Sequence, residues 1–206
     1  VSGIPPTRWD LFVSEDAMYG RHFEQLLADG VDVDGEARLA DVLAPRRARI
    51  LDAGSGMGRV GASLLRRGHD VTAVEKDLKL VAQSRRLFPE LVVVQSDILA
   101  LSPDLLVEHG RPSAYDVVVV AGNVMIYLAE DTETRALRAL RDLLAPDGRI
   151  LVGYNAVKGP RHSRDYPYED FVGHLEAAGL EVQHRFGSWD LTPPADDYVL
   201  AVLSRA

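Results

Sequence analysis

Beyond residue 48 the chain alternates short runs of Val, Ile and Leu with stretches in which apolar residues recur every three or four positions. The runs suit buried strands and the periodic stretches suit helices that cover them, so the pattern predicts a mostly parallel sheet with helices on both faces. Residues 49–51 form the first predicted strand. A helix follows over 57–67, with Val60, Leu64 and Leu65 facing inward and Gly68 stopping it. The second strand is 70–74, and the next helix is 78–88, where Leu80, Val81, Ser84, Leu87 and Phe88 share a stripe and Pro89 ends it. Residues 91–95 and 115–120 are apolar almost without interruption, as central strands buried on both faces are.

The second half continues the alternation. A helix over 129–144 carries Leu137, Leu140, Leu143 and Leu144 on one stripe, and Pro146-Asp147-Gly148 reads as a turn into a strand over 149–154. A helix over 168–178 ends at Gly179, and two last strands, 180–186 and 198–204, are joined by a loop too short for a crossover helix. That pair must be antiparallel, so a mixed seven-stranded sheet with a C-terminal antiparallel hairpin at one edge is expected. Ahead of the sheet, 15–28 (Tyr19, Phe23, Leu26, Leu27) and 35–44 (Leu39, Val42, Leu43) read as helices. The expected organisation is a single domain over 1–206, in which 1–48 caps a ligand-binding core of 49–206.

Composition narrows the classes of function. A chain of 206 residues, 47% hydrophobic, can bury one proper core, and with no cysteine it has neither disulfides nor a thiolate nucleophile. No apolar run approaches the roughly 18–20 residues of a membrane span, and residues 1–15 lack a basic stretch followed by an apolar core. The expectation is a cytoplasmic protein with no membrane partner. A formal net charge of −8 repels polyanions, which argues against a nucleic-acid partner. Arg46, Arg47 and Arg49, and Arg66 and Arg67, then read as solvated charges.

The candidate chemistry lies in Asp52-Ala53-Gly54-Ser55-Gly56-Met57-Gly58, between the first strand and its helix. Three glycines at alternate positions exceed what a plain turn needs, and such a loop at the carboxyl edge of a parallel sheet is where open α/β domains bind ligands. Gly56, Gly58 and Gly61 also satisfy the dinucleotide spacing, with Glu75 nineteen residues after Gly56. A nicotinamide-dependent oxidoreductase is therefore one reading. Against it, four residues separate Leu51 from Gly56, where the dinucleotide fingerprint almost abuts its strand.

The loop, preceded by Arg49-Ile50-Leu51, resembles the first motif of the class I S-adenosylmethionine-dependent methyltransferases. Val74-Glu75, Ser96-Asp97-Ile98-Leu99, the run from Tyr115 to Val124, Leu143 to Arg149 and the closing hairpin resemble that family in the same order, over 49 to about 204, some three quarters of the chain. Gly35 to Leu39 and Ser188 to Leu191 also resemble a small, largely uncharacterised actinobacterial branch. The resemblance implies a Rossmann-like α/β fold, S-adenosylmethionine as cofactor and methyl transfer by in-line displacement. A non-catalytic protein that binds an adenosyl ligand stands beside it as an alternative.

The resemblance also implies roles. Glu75 would accept hydrogen bonds from the ribose hydroxyls with Lys76 beside it, Asp97 would accept from the adenine amino group, and Ile98 would cover the base. Asp52, Ala53, Gly54, Ser55, Gly56 and Gly58 would cradle the methionine end, Arg38 would meet its carboxylate, and Ala121, Gly122 and Asn123 would stand beside the amino and sulfonium groups. No dedicated base is required, His162 and Tyr19 being the nearest candidates for one. Tyr127, Tyr154, Asn155 and Trp189 would face a small-molecule acceptor. No motif for amino groups of bases follows the fourth strand, and no acid cluster for a divalent metal is expected. Oligomeric state is not legible.

Overall fold

The computed structural model describes residues 3–13 and 18–206, the side chains of 12, 13, 18 and 19 lying outside that description. Seven strands form one sheet in the order β3-β2-β1-β4-β5-β7-β6. They are β1 (Arg49–Ala53), β2 (Asp70–Glu75), β3 (Val92–Gln95), β4 (Tyr115–Val120), β5 (Leu144–Asn155), β6 (Leu180–Phe186) and β7 (Tyr198–Arg205). The five strands from β3 to β5 run parallel, and β7 inserts antiparallel between β5 and β6. The expected mixed sheet and its reversed hairpin are both present.

Side-chain parity divides the core into two layers. Leu51, Val118, Ile150 and Val152 point to one face, where α5 (Pro103–Glu108), α6 (Val124–Tyr127), α7 (Glu133–Asp142) and α8 (Tyr168–Ala178) supply Leu106, Ile126, Leu137 and Phe171. Ile50, Val117, Val119 and Leu151 point to the other, under α2 (Gly35–Leu43), α3 (Arg59–Arg66) and α4 (Leu78–Leu87), which supply Leu39, Leu64 and Val81. An α1 helix (Met18–Ala28) lies ahead of α2, and Gln83 and Arg86 on α4 hydrogen-bond to its Glu24. Among the described residues no helix is long and apolar enough to cross a membrane.

Three expectations are corrected and one element was not foreseen. The helix expected from 57 begins at Arg59, because Gly58 caps it in the left-handed region with φ 88°. The helix expected over 129–144 is interrupted: Asp131 has φ 62°, Thr132 Oγ1 donates to the Ala129 carbonyl, and α7 starts only at Glu133. The expected turn at 146–148 is a bulge inside β5, whose pairing with β4 jumps from Tyr115↔Leu144 to Val117↔Arg149. The described part of 1–48 also contains a turn of π-helix, Trp9–Val13, which no periodicity announced.

Candidate cofactor site

The floor of the site is the loop after β1, and backbone hydrogen bonds hold it. The amides of Gly54 and Ser55 both donate to the Val74 carbonyl on the neighbouring strand at 2.9 Å, and the Gly58 amide donates to Ser55 at 2.9 Å. Gly54 has φ 76°, and a Cβ there would stand 2.5 Å from a methyl of Val124, so both conformation and space demand glycine. Beneath the loop, Asp52 is buried and its Oδ2 accepts from the Gly61 amide at 2.9 Å. Burial pushes its carboxyl up to about 7, against the pull of that amide and the Arg59 charge.

Glu75, at the end of β2, is buried at 7% exposure, and its two oxygens accept from the amides of Gly56 and Asp77, each at 2.8 Å. Burial raises its pKa, opposed by those two amides and by the amide of Lys76. An ionised carboxylate offers about four lone-pair directions, so these amides leave capacity for a ligand. Asp77 caps α4 through the amides of Lys79 and Leu80, at 2.8 and 3.4 Å. The Asp97 Oδ1 accepts from the Leu99 amide at 2.9 Å, starting a short 3-10 turn after β3.

Over this floor lies a cavity of about 650 Å³, open mouth included, at the carboxyl edge of the sheet. Gly54, Gly56, Glu75, Lys76, Asp97, Ile98, Gly122 and Tyr127 line it, all of them picked out from the sequence. Thr7 and Trp9 line it too, from a strap that sequence reasoning missed. The Trp9 indole donates to Asp77 Oδ2 at 2.8 Å and meets the Tyr127 ring edge-on at 5.6 Å between centroids. Val124 and Leu128 complete the wall after β4. A tryptophan in a short N-terminal stretch was the one signal that could have pointed to the strap.

Other expected site residues do not line the cavity. Ala53 is buried in β1, Ala121 is buried just past the end of β4, and Gly58 packs against Ser84 and Leu91. Asn123 accepts from the Asn155 amide through Oδ1 at 2.8 Å, which ties the ends of β4 and β5 together. Arg38 is half exposed and pairs with Asp32 at 2.8 Å, away from the cavity lining. The buried arginine nearby is Arg59, which pairs with Glu36, donates to the Val33 carbonyl at 2.6 Å and covers the Phe23 ring at 4.6 Å.

The acceptor-side residues also separate. Tyr154 is fully buried in an aromatic cluster with Tyr166 and Phe171, at 5.4 and 5.5 Å, so it has no surface for an acceptor. Trp189 packs on Gly153 and donates to the Tyr198 hydroxyl at 2.7 Å, a structural placement on the face of β5. His162 is exposed on the loop after β5 with φ 68°, outside the cavity lining. The Tyr19 side chain lies outside the described residues. Among the described residues no three His, Asp or Glu side chains gather as a metal site would require.

The arrangement suits an adenosyl ligand because a buried carboxylate with room for further hydrogen bonds stands at the cavity; Ser55, whose buried hydroxyl has no partner among the described residues, lies beside it in the loop but outside the cavity lining. Comparison with known proteins agrees. Residues 50–148 match the methyltransferase domain family. The crystal structure of a TehB-like S-adenosylmethionine-dependent methyltransferase from Corynebacterium glutamicum is 36% identical, covers 94% of this chain and 98% of its own, and superposes with a TM-score of 0.79. The glycopeptide N-methyltransferase MtfA, solved with S-adenosylmethionine, shares the fold at 19% identity and a TM-score of 0.67, over 84% of this chain and 95% of its own. The ribosomal RNA small subunit methyltransferase A of Porphyromonas gingivalis is 36% identical over 95 residues, which are 45% of this chain but only 34% of that protein. The chain thus spans about a third of the length of the curated relatives it matches.

Proposed function

The chain belongs to the S-adenosylmethionine-dependent methyltransferases, and from that premise we propose that it binds S-adenosylmethionine over the glycine loop and transfers the methyl group to a small-molecule acceptor. The observation that carries the reading is Glu75, buried at the cavity and aimed by two backbone amides that leave it capacity to accept further hydrogen bonds. We assign it the ribose hydroxyls. Asp97 and Ile98 serve the adenine, and the backbone of Gly54, Gly56 and Gly122 serves the methionine end, with Asp52 holding the loop from below through Gly61. The described N-terminal residues are read as a cap within one domain, a reading supported by Thr7 and Trp9 standing among the residues that line the core's cavity.

When bound, the cofactor supplies a methyl carbon on a positively charged sulfur, a group that leaves as the acceptor approaches in line. This chain's part is to orient and to exclude water. Tyr127 is the one expected acceptor-side residue that lines the cavity, and its hydroxyl donates to the Arg161 carbonyl at 3.1 Å, which joins the wall after β4 to the loop after β5. A small acceptor is favoured by this enclosed wall and by the net charge of −8, which opposes a polyanion despite the partial match to a ribosomal RNA enzyme.

Parallel calorimetric titrations with S-adenosylhomocysteine, S-adenosylmethionine and NAD test the cofactor half, with both adenosyl ligands expected to bind and NAD not. Binding of NAD alone would overturn it. For the acceptor half, formation of S-adenosylhomocysteine is followed across small metabolites and a small-subunit ribosomal RNA fragment. Turnover on the RNA alone would sink the small-molecule reading, and adenosyl binding with no turnover at all would favour a binding protein.

A further inference from the structure

The segment that roofs the cavity is tied down by side chains, and one of them reaches through to the cavity wall. Arg8 pairs with Glu130 beyond α6, and Trp9 is held by Asp77 and Tyr127. The third tie is Lys76. Its ammonium donates to Asp10 Oδ2 on the strap at 2.6 Å and to Asp97 Oδ2 on the wall at 2.7 Å, with the Thr7 hydroxyl at 3.5 Å. The other oxygen of Asp97 is taken by the Leu99 amide, so with Lys76 in place both ends of that carboxylate are fixed.

We infer that Lys76 is a positioning residue and not a ligand: it latches the strap through Asp10 and sets the carboxylate of Asp97, so closing the roof and orienting the adenine-side acid are one event. The inference rests on the cofactor site proposed above. Geometry separates this bridge from an ordinary surface pair, since the Lys76 and Asp97 side chains are only 27% and 12% exposed and are screened less than a fully solvated pair would be. One ammonium between two carboxylates also loses one partner without losing its charge compensation, so the strap can lift while Lys76 stays on Asp97.

A latch and a contact leave different kinetic marks. A roof obstructs passage in both directions, so weakening its latch raises the open fraction and speeds both association and dissociation. A lost ligand contact speeds dissociation alone. The test is stopped-flow tryptophan fluorescence with S-adenosylhomocysteine, in a Trp189→Phe background that leaves Trp9 on the strap as the reporter. Asp10→Asn and Lys76→Met should each raise both rate constants, on the order of tenfold for a charge-assisted bond in a half-buried setting. Lys76→Arg, which can still bridge two carboxylates, should restore both rates to within about threefold of the parent. Glu75→Ala, a contact variant, should raise dissociation only.

Parent rates in Asp10→Asn and Lys76→Met would overturn the inference, and so would a rise in dissociation alone in Lys76→Met, which would make Lys76 a ligand. Hydrogen exchange of residues 7–11 without any ligand gives a second readout, in which Lys76→Met should lose protection that Lys76→Arg keeps. If the parent binds no S-adenosylhomocysteine, the cofactor reading fails, and the exchange result still decides the latch: unchanged protection in Lys76→Met rejects it.

Discussion

The floor and the roof of the cavity are built from different interactions. Backbone amides and left-handed glycines hold the floor: Gly54, Ser55 and Gly58 are bonded to carbonyls, and Glu75 is aimed by two amides. Side-chain charges far apart in sequence hold the roof, with Arg8 reaching Glu130 across 122 positions and Lys76 reaching Asp10 across 66. Buried backbone bonds are costly to break without replacement, whereas a partly exposed ion pair contributes only on the order of 1 kcal/mol. The pairing of a fixed cradle with a releasable cover is what a site needs if it must present a ligand in one orientation and still exchange it.

Substitutions at the two levels should therefore differ in kind and in size. The largest effect is expected from Gly54→Ala, which forces a side chain into φ 76° and against Val124; thermal unfolding should show a loss of about 3 kcal/mol, with S-adenosylhomocysteine binding lost as well. A variant as stable as the parent would mean that the loop adapts. Next comes Glu75→Ala, expected to weaken S-adenosylhomocysteine by about 2–3 kcal/mol in calorimetry, the scale of charge-assisted bonds lost at a buried site. Undiminished affinity would remove the ribose assignment.

Asp52 tests the floor through pH. Its carboxyl titrates near 7 when folded, against about 3.9 unfolded, so the folded protein holds a proton that the unfolded chain releases in between. Its contribution to stability then falls as pH rises from about 4 to about 7 and is level above. Glu75 and Glu36 face it and add to the shift, while Arg59 and the Gly61 amide oppose it. Asp52→Asn keeps an acceptor for Gly61, so denaturant melts should show a shallower pH slope and, at pH 8, a gain on the order of 2 kcal/mol. An unchanged slope would place the charge elsewhere. The smallest effect belongs to the roof: Trp9→Ala should cost about 1 kcal/mol in ligand affinity with the melting temperature nearly unchanged.

This division also explains what could be read in advance. The bounds of α8 and β6 follow from a helical stripe stopped by Gly179, and the loop from Asp52 to Gly58 announces itself by glycine spacing, because those signals are local. Pro146-Asp147-Gly148 gives the same local signal for a turn and for a bulge, so β5 began earlier than expected. Tyr154 looked available at the end of a strand, but β5 is covered on both faces and alternation cannot mark an exposed position there. Arg38 was the expected cation, but it turns out to Asp32 while Arg59, which the sequence did not single out, is buried on Glu36, a choice made by packing between α2 and α3. The roof left no periodic trace, since its ties join residues that only the fold brings together.

Hydrogen exchange with and without S-adenosylhomocysteine tests the fixed floor and releasable roof most directly. The account predicts that the amides of Gly54, Ser55 and Gly58 exchange slowly in both states, while those of residues 7–11 exchange faster than the floor without ligand and slow by on the order of tenfold or more when it binds. Contradiction would come from a roof that the ligand leaves unchanged, or from a floor that is as labile as the roof until the ligand arrives.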